Sequence, residues 1–484
     1  MAGPIRTVDP LPAPIPVPIH SRVQPAVPNK VAILAIILVS YVMIILDTSI
    51  VLTGLPNIQR DLGFSDSSLA WVQSAYTLTF GGFLLLSARA GDVLGRRRML
   101  IAGLAVFTTA SVAIGMARSP AVMIAARALQ GLGSAILAPS TLALLQITFA
   151  EGPERTRAVS WYSAVAGVAA SVGLVLGGVL AQSLSWRAGF FVNLPIGIAM
   201  IVAARRYIVE SERSSGHFDV PGALTSTVGV SALVYGFIRS AEAGWGDAIT
   251  LLAIAAALVL LCTFVALEKL AAQPIMPLHL FANAERAAAY LARLLFMGGM
   301  IGFFFFTTLY LQDELQYGAT LTGMAFLPAT IVNFIVAMML PRLTRRFDNG
   351  LILAVGLALC VTGMAWLSRA TPDSVYLTAV ALPMLLIGAG QGMTLGPLTV
   401  SAIKGVARSD AGAASGVVNV VHQIGSALGL AVLIAIGAHG ASALHGDALT
   451  AHRVTFAFTT ATIMLALALA LVLVALFLLP KNRT

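Results

Sequence analysis

Fourteen stretches of some twenty consecutive, mainly apolar residues run through this chain, and nothing else in it restricts the fold so severely. Hydrocarbon offers no partner to an unpaired backbone N–H or C=O. A segment that crosses it therefore closes its own hydrogen bonds as a helix of about 20 apolar residues. The stretches fall near residues 31–55, 70–88, 100–117, 121–146, 158–182, 190–208, 222–239, 248–268, 287–312, 322–340, 351–368, 376–402, 413–437 and 455–479. Of the 484 residues, 58% are apolar and 10% charged, against about 45–50% and 25% in soluble domains. So few charges could not cover the surface of a soluble enzyme, and so much apolar matter excludes disorder. The expected fold is an all-α integral membrane protein.

An even number of crossings returns both termini to one side. If that side is the cytoplasm, the inner segments hold 21 of the 29 Lys and Arg residues and the outer loops 6, with Arg127 and Arg293 inside spans. The excess of inner positive charge fixes the orientation with both ends cytoplasmic. It also accounts for the net charge of +9 as topology and contact with anionic lipid, with no nucleic-acid partner. Residues 1–30 contain eight prolines and no early apolar core. They exclude a cleavable signal peptide as written and read as a disordered, proline-rich cytoplasmic tail; residues 481–484 form a second tail. Cys262 and Cys360 both sit in apolar runs, so neither a disulfide framework nor a metal site is expected. The absence of GxxxxGK[ST], HExxH and GxSxG motifs argues against an ATP-driven pump and an intramembrane hydrolase. No cofactor and no enzymatic activity are expected.

The chain repeats itself. ARAGDVLGRRR (88–98) after the second span has a degraded counterpart in PRLTRRFDNG (341–350) after the tenth. Gly131-Leu132-Gly133 with Pro139 matches Gly390-Gln391-Gly392 with Pro397, and Gly173 and Gly177 match Gly425 and Gly429. The near-constant offset implies a six-helix half at 31–208 and another at 286–480, with spans seven and eight inserted between them in 209–285.

Asp47 lies deep in the first span and is the one acidic residue clearly inside any span. A charge at that depth costs at least about 2.5 kcal/mol unless paired. Desolvation makes such a carboxyl a reversible proton carrier or a site for a cation; a packing role through a hydrogen bond to a neighbouring span is the alternative. Arg127, in the fourth span, needs a partner or must reach the interface, and Gln130 is its i+3 neighbour on the same helical face. In the 88–98 loop, Gly91 and Gly95 permit a tight reversal and Asp92 can accept from the amides of a helix N-terminus. Arg96, Arg97 and Arg98 can pair with acids or anionic lipid. Gly167, Gly173, Gly177 and Gly178 in the fifth span let helices approach and slide, or simply pack. Gln73 and Tyr76 could wall a substrate cavity beside Asp47, as could Asn419, His422 and Gln423 in the thirteenth span. Trp71 fits an interfacial aromatic belt better. An intramembrane histidine such as His422 could titrate near neutrality or hydrogen-bond across helices.

Over residues 31–480 the chain resembles the fourteen-helix drug:proton antiporters of the major facilitator superfamily. Leu46-Asp47-Thr48-Ser49-Ile50-Val51 with Leu55-Pro56 is similar to that group's first-helix signature. Gly91-Asp92 with Gly95-Arg96-Arg97 resembles the superfamily's loop signature, and Arg127 with Gln130-Gly131-Leu132-Gly133 its fourth-helix signature. Trp186-Arg187 with Phe190-Phe191-Val192-Asn193-Leu194-Pro195, Tyr310-Leu311-Gln312 and the run from Gly412 to Gly429 are similar to segments of the fourteen-helix group. Leu174 stands where the fifth-helix signature has proline, Ala88 and Val93 where the loop has glycine and a basic residue, and Leu52 where the first helix usually has asparagine. The resemblance implies the major-facilitator fold and a secondary exporter in a bacterial inner membrane, functional as a monomer. It further implies that inward proton flow drives expulsion of amphipathic, expectedly cationic, small molecules. Asp47 would bind protons or cationic drug, Arg127 would assist proton transfer, and Asp92 and Arg96 would latch the inner gate of the outward-open state. A dedicated exporter of one endogenous metabolite is the alternative within transport, and a non-transporting receptor or lipid-handling protein the alternative outside it.

Overall fold

A computed structural model describes residues 29–150, 152–211, 219–271, 274, 276–371, 373–406, 410–439 and 447–477. The proline-rich segment 1–28 and the tail 481–484 lie outside the described residues. Among the described residues there is no strand. Thirteen helical segments are long and apolar enough to cross a membrane, and a further helix has a shorter apolar stretch at Val168–Ser183.

The described chain begins with the helices α1 (Lys30–Leu62), α2 (Trp71–Leu94), α3 (Arg96–Gly115), α4 (Pro120–Thr148) and α5 (Pro153–Ser183). A helix in two pieces follows, α6 (Trp186–Phe191) and α7 (Asn193–Tyr207), and then α8 (Val220–Ala243) and α9 (Ala248–Leu270). After α10 (Ala284–Leu309) comes another helix in two pieces, α11 (Ala319–Ala325) and α12 (Leu327–Leu343). The last four are α13 (Asn349–Leu367), α14 (Leu382–Ile403), α15 (Ala411–Gly437) and α16 (Asp447–Phe477). Several helices outrun their apolar stretches because caps stop them. In α1 the Asn29 side chain accepts from the Ala32 amide, and Gly63 ends the helix at φ +73°. The 33 residues between span about 50 Å, more than the hydrocarbon needs. Before α14 a π-helical turn spans Leu377–Ala381, where Pro383 has no amide to offer the carbonyl four residues back.

Helices α1 to α7 pack mainly among themselves, through the α2–α4, α3–α4, α1–α5 and α3–α7 contacts. Helices α10 to α16 do likewise through α13–α14, α10–α16, α10–α15 and α12–α14. The pair α8–α9 attaches through α8, which lies against both α2 and α15. The most extensive direct contacts between the halves are α2 with α15 and α5 with α11.

The matched glycines do matching work. A Cβ on Gly173 would lie 2.7 Å from Ser49 Cβ, and one on Gly177 would lie 2.6 Å from Ile50 Cα, so α5 rests on the backbone of α1. A Cβ on Gly425 would lie 2.8 Å from Leu294 Cα, and Gly429 meets Gly298, so α15 rests on α10 in the same manner. Gly178 faces the carbonyl of Ala319, and Gly323 faces the carbonyl of Leu174, bringing α5 and α11 together main chain to main chain. The surroundings of Gly167 lie outside the described residues.

Toward the end of the molecule bearing the α2–α3 loop, a cavity lies between the halves. At the opposite end they are tied. Gln312 Nε2 donates to the Thr53 carbonyl over 2.9 Å, and the Thr320 amide donates to Gln182 Oε1 over 2.9 Å. Arg453 pairs with Asp66 there as well.

Because Gly425 sits on main chain that cannot move aside, Gly425→Ala should lower stability by about 1–3 kcal/mol. Gly246, whose added Cβ would meet nothing within 4 Å, should tolerate alanine within about 0.5 kcal/mol. Melting of the two detergent-purified variants by tryptophan fluorescence checks this, and equal melting would refute the close α15–α10 approach.

Candidate functional site

Helix α1 carries Asp47 into the interior with 1% of its surface exposed, and α4 brings Arg127 to it with none exposed. Arg127 Nη1 donates to Asp47 Oδ2 over 2.6 Å and to Gln130 Oε1 over 2.6 Å. Gln130 Nε2 donates to Asp47 Oδ1 and to Ser111 Oγ, each over 2.7 Å. From α7, Asn193 Nδ2 reaches Asp47 Oδ1 at 3.4 Å and Ser111 Oγ at 3.2 Å. Arg127 Nε donates to the Val72 carbonyl on α2 over 2.8 Å. The guanidinium also lies 4.4 Å from the centre of the Tyr76 ring, whose hydroxyl is 2.8 Å from Ser134 Oγ. Five helices therefore meet at one buried, charge-balanced cluster. Arg127 does not reach for the interface, and the i+3 geometry expected for Gln130 is the geometry found.

Beside this cluster lies a cavity of about 870 Å³ between the two halves. Gln73, Tyr76, Asn419, His422 and Gln423 all line it. Trp71 instead packs near Tyr235 of α8. Asp47 is not among the lining residues; the ring of Tyr76, resting on Arg127, forms the wall there. Leu85, Ala88, Arg96 and Gln146 line the mouth at the loop-bearing end, while the α5–α11 contact closes the far end. The size suits a drug-like molecule, and the lining mixes aromatic and aliphatic surface with amides and hydroxyls.

The 88–98 loop differs from expectation in one respect. Gly95 has φ +106° and makes the reversal, but Asp92 does not cap the helix that follows. Asp92 pairs with Arg96, whose guanidinium lies over Gly91. The amides of the α3 N-terminus go to a segment 113 residues away. Glu210 Oε1 accepts from the Arg97 amide over 3.0 Å, Glu210 Oε2 from the Arg98 amide over 3.2 Å, and Ser211 Oγ from the Arg96 amide over 3.1 Å. A carboxylate aligned with two amides satisfies a helix N-terminus better than one spent on an i+4 arginine. Glu210 has no motif around it, so sequence alone could not nominate it.

Three other participants were not singled out as site residues. Asn193 sits in the Phe190–Pro195 motif and was recognisable there only as a family marker. Ser111 has no signal in sequence. Arg293, noticed only as a charge inside a span, is 7% exposed and donates to Thr399 Oγ1 over 2.9 Å and to His422 Nδ1 over 3.2 Å. His422 thus hydrogen-bonds across helices, as one of its two sequence readings had it.

The sequence profile described as Major Facilitator Superfamily matches residues 37–430, and the chain belongs to that family. Among its relatives are the cephamycin export protein CmcT of Amycolatopsis lactamdurans, 41% identical over 83% of this chain and 84% of its own. The puromycin resistance protein pur8 of Streptomyces alboniger is 39% identical over 86% and 83%, and the multidrug resistance protein Stp of Mycobacterium tuberculosis 34% over 81% and 73%. The fold is shared with a proton-dependent oligopeptide transporter at a TM-score of 0.63, with 16% identity and coverage of 92% of this chain and 98% of the other. This is a multi-pass membrane transporter of the kind that carries small molecules.

Removing one partner of a buried ion pair strands the other. Arg127→Gln and Asp47→Asn should each destabilise the folded chain by about 3–5 kcal/mol. The double variant should lie closer to wild type than either single one. Melting of all four proteins in one detergent provides the cycle, and additive losses would show that the two side chains do not depend on each other.

Proposed function

We propose that this chain is a secondary active exporter that uses inward proton flow to expel amphipathic small molecules, drugs or antibiotics among them, by alternating access. The observation that carries this reading is a buried carboxylate–guanidinium pair, Asp47 and Arg127, one aromatic ring away from a drug-sized cavity. Proton uptake by Asp47 would discharge the partner of Arg127 and loosen a cluster on which five helices converge. Gln130 would hold the carboxylate and guanidinium in register, and Gln73, Tyr76, Asn419, His422 and Gln423 would contact cargo. The two halves would move as six-helix bundles, 31–208 and 286–480, sliding on Gly173, Gly177 and Gly178, with α8 and α9 riding between them and fourteen spans in all. Gly91, Asp92, Gly95 and Arg96 would form the inner gate loop. In this reading the protein sits in a bacterial cell membrane with both termini cytoplasmic and works as a monomer. Export and resistance among the relatives support the direction of transport. Relatives named for a single compound, cephamycin or tetracenomycin C, favour as the second reading a dedicated exporter of one metabolite.

Everted membrane vesicles test the proposal. Gradient-driven accumulation of a fluorescent amphiphile should collapse on addition of a protonophore. Asp47→Asn should reduce it to the background of vesicles lacking the protein. Undiminished, pH-independent transport by Asp47→Asn would remove the carboxylate from the coupling step.

A further inference from the structure

The charges around the cavity are not balanced. Arg127 is neutralised by Asp47, and Arg96, at the mouth, by Asp92. Among the described residues Arg293 has no carboxylate partner. Its partners are the neutral groups Thr399 Oγ1 and His422 Nδ1, and its Nε makes no hydrogen bond among the described residues. It sits about 13 Å along α10, 93% buried at its 7% exposure. A guanidinium has only donors to give, so His422 Nδ1 accepts and its Nε2–H remains as a donor. His422 also lines the cavity, so the unpaired charge lies one imidazole behind the wall. Among the described residues no aspartate or glutamate lines this cavity, and Arg96 and His422 are its only Arg, Lys or His side chains. Asp47, on which the expectation of a cationic cargo rests, faces away into its own cluster.

An intramembrane arginine without a counter-ion is costly, and such charges mark the path of a substrate or ion. We propose that Arg293 and His422 form an acid-binding subsite, and that the preferred cargo is an amphipathic organic acid whose carboxylate or sulfonate takes this place. The proposal rests on the exporter reading and supplies the charge of its substrate. The apolar body of the molecule would lie along Met297, Met300, Ile301 and Phe304 on the same helix that carries Arg293. Bound acid would complete an ion pair that the protein leaves half built, in a region where a competing cation would meet uncompensated positive charge.

A series of three dansyl probes with one fluorophore and different charge provides the test: dansyl-aminohexanoate, neutral butyl-dansylamide and cationic dansylcadaverine. Binding is followed by dansyl fluorescence on the detergent-purified full chain. The acid should bind about tenfold more tightly than the neutral probe, the scale of one partly screened charge pair, and the cation more weakly than either. In Arg293→Gln the ratio of acid to neutral affinity should fall to near one, while Arg293→Lys should retain most of it. His422→Phe, which keeps the guanidinium but removes the donor at the wall, should lower the ratio in part and serves if Arg293→Gln does not fold. Wild-type protein that binds the cation as tightly as the acid, or an Arg293→Gln ratio equal to wild type, would overturn the proposal. Excess phosphatidylglycerol in the micelles should leave the acid bound; its displacement would hand the site to a lipid headgroup and overturn it too. The ratios are read at equilibrium with no gradient. Their failure therefore leaves proton-driven export standing, while protonophore-insensitive vesicles would sink export and leave the ratios intact.

Discussion

A carboxylate and a guanidinium held 2.6 Å apart, out of reach of water, set the terms for the N-terminal half. Neither ion is comfortable alone in such a place, so each fixes the other and draws amides and hydroxyls around it. Gln130 is the hinge of that arrangement: it accepts from Arg127 and donates to both Asp47 and Ser111. Asn193 then ties in the start of α7. What results is a cluster whose members come from distant parts of the sequence and cannot relax one at a time.

The C-terminal half repeats the helical scaffold without repeating this chemistry. Its glycines bring α15 onto α10 as those of α5 bring it onto α1. Where the first half buries a balanced pair, the second buries Arg293 with a threonine and a histidine. Duplicated scaffolds with unlike charges give the cavity two dissimilar walls, one governed by an internal pair and one with positive charge to spare. That division of labour suits a machine in which driving ion and cargo are handled by different groups.

Much of this was legible because hydrocarbon punishes charge and exposed backbone so heavily. Long apolar runs announce helices whatever their neighbours do, and Asp47 and Arg127 stand out against such a background. The cavity residues Gln73, Tyr76, Asn419, His422 and Gln423 were legible for the same reason, as polar groups inside spans. What stayed hidden depended on contacts between segments far apart. Ser111 looks like any small polar residue until Gln130 arrives beside it, and Glu210 gains its role only because the chain after α7 folds under the start of α3. The breaks between α6 and α7 and between α11 and α12 were also invisible to a count of apolar residues, since a kink changes direction without changing composition.

At its glycines the contact between α5 and α11 is bare main chain, Gly178 against the Ala319 carbonyl and Gly323 against the Leu174 carbonyl. At those glycines there are no rotamers to reshuffle and no knobs to withdraw from holes, so a parting there would follow a smooth seam. It also acts as a hard stop: the two segments close until peptide meets peptide, at a spacing that nothing carried in the cavity can alter.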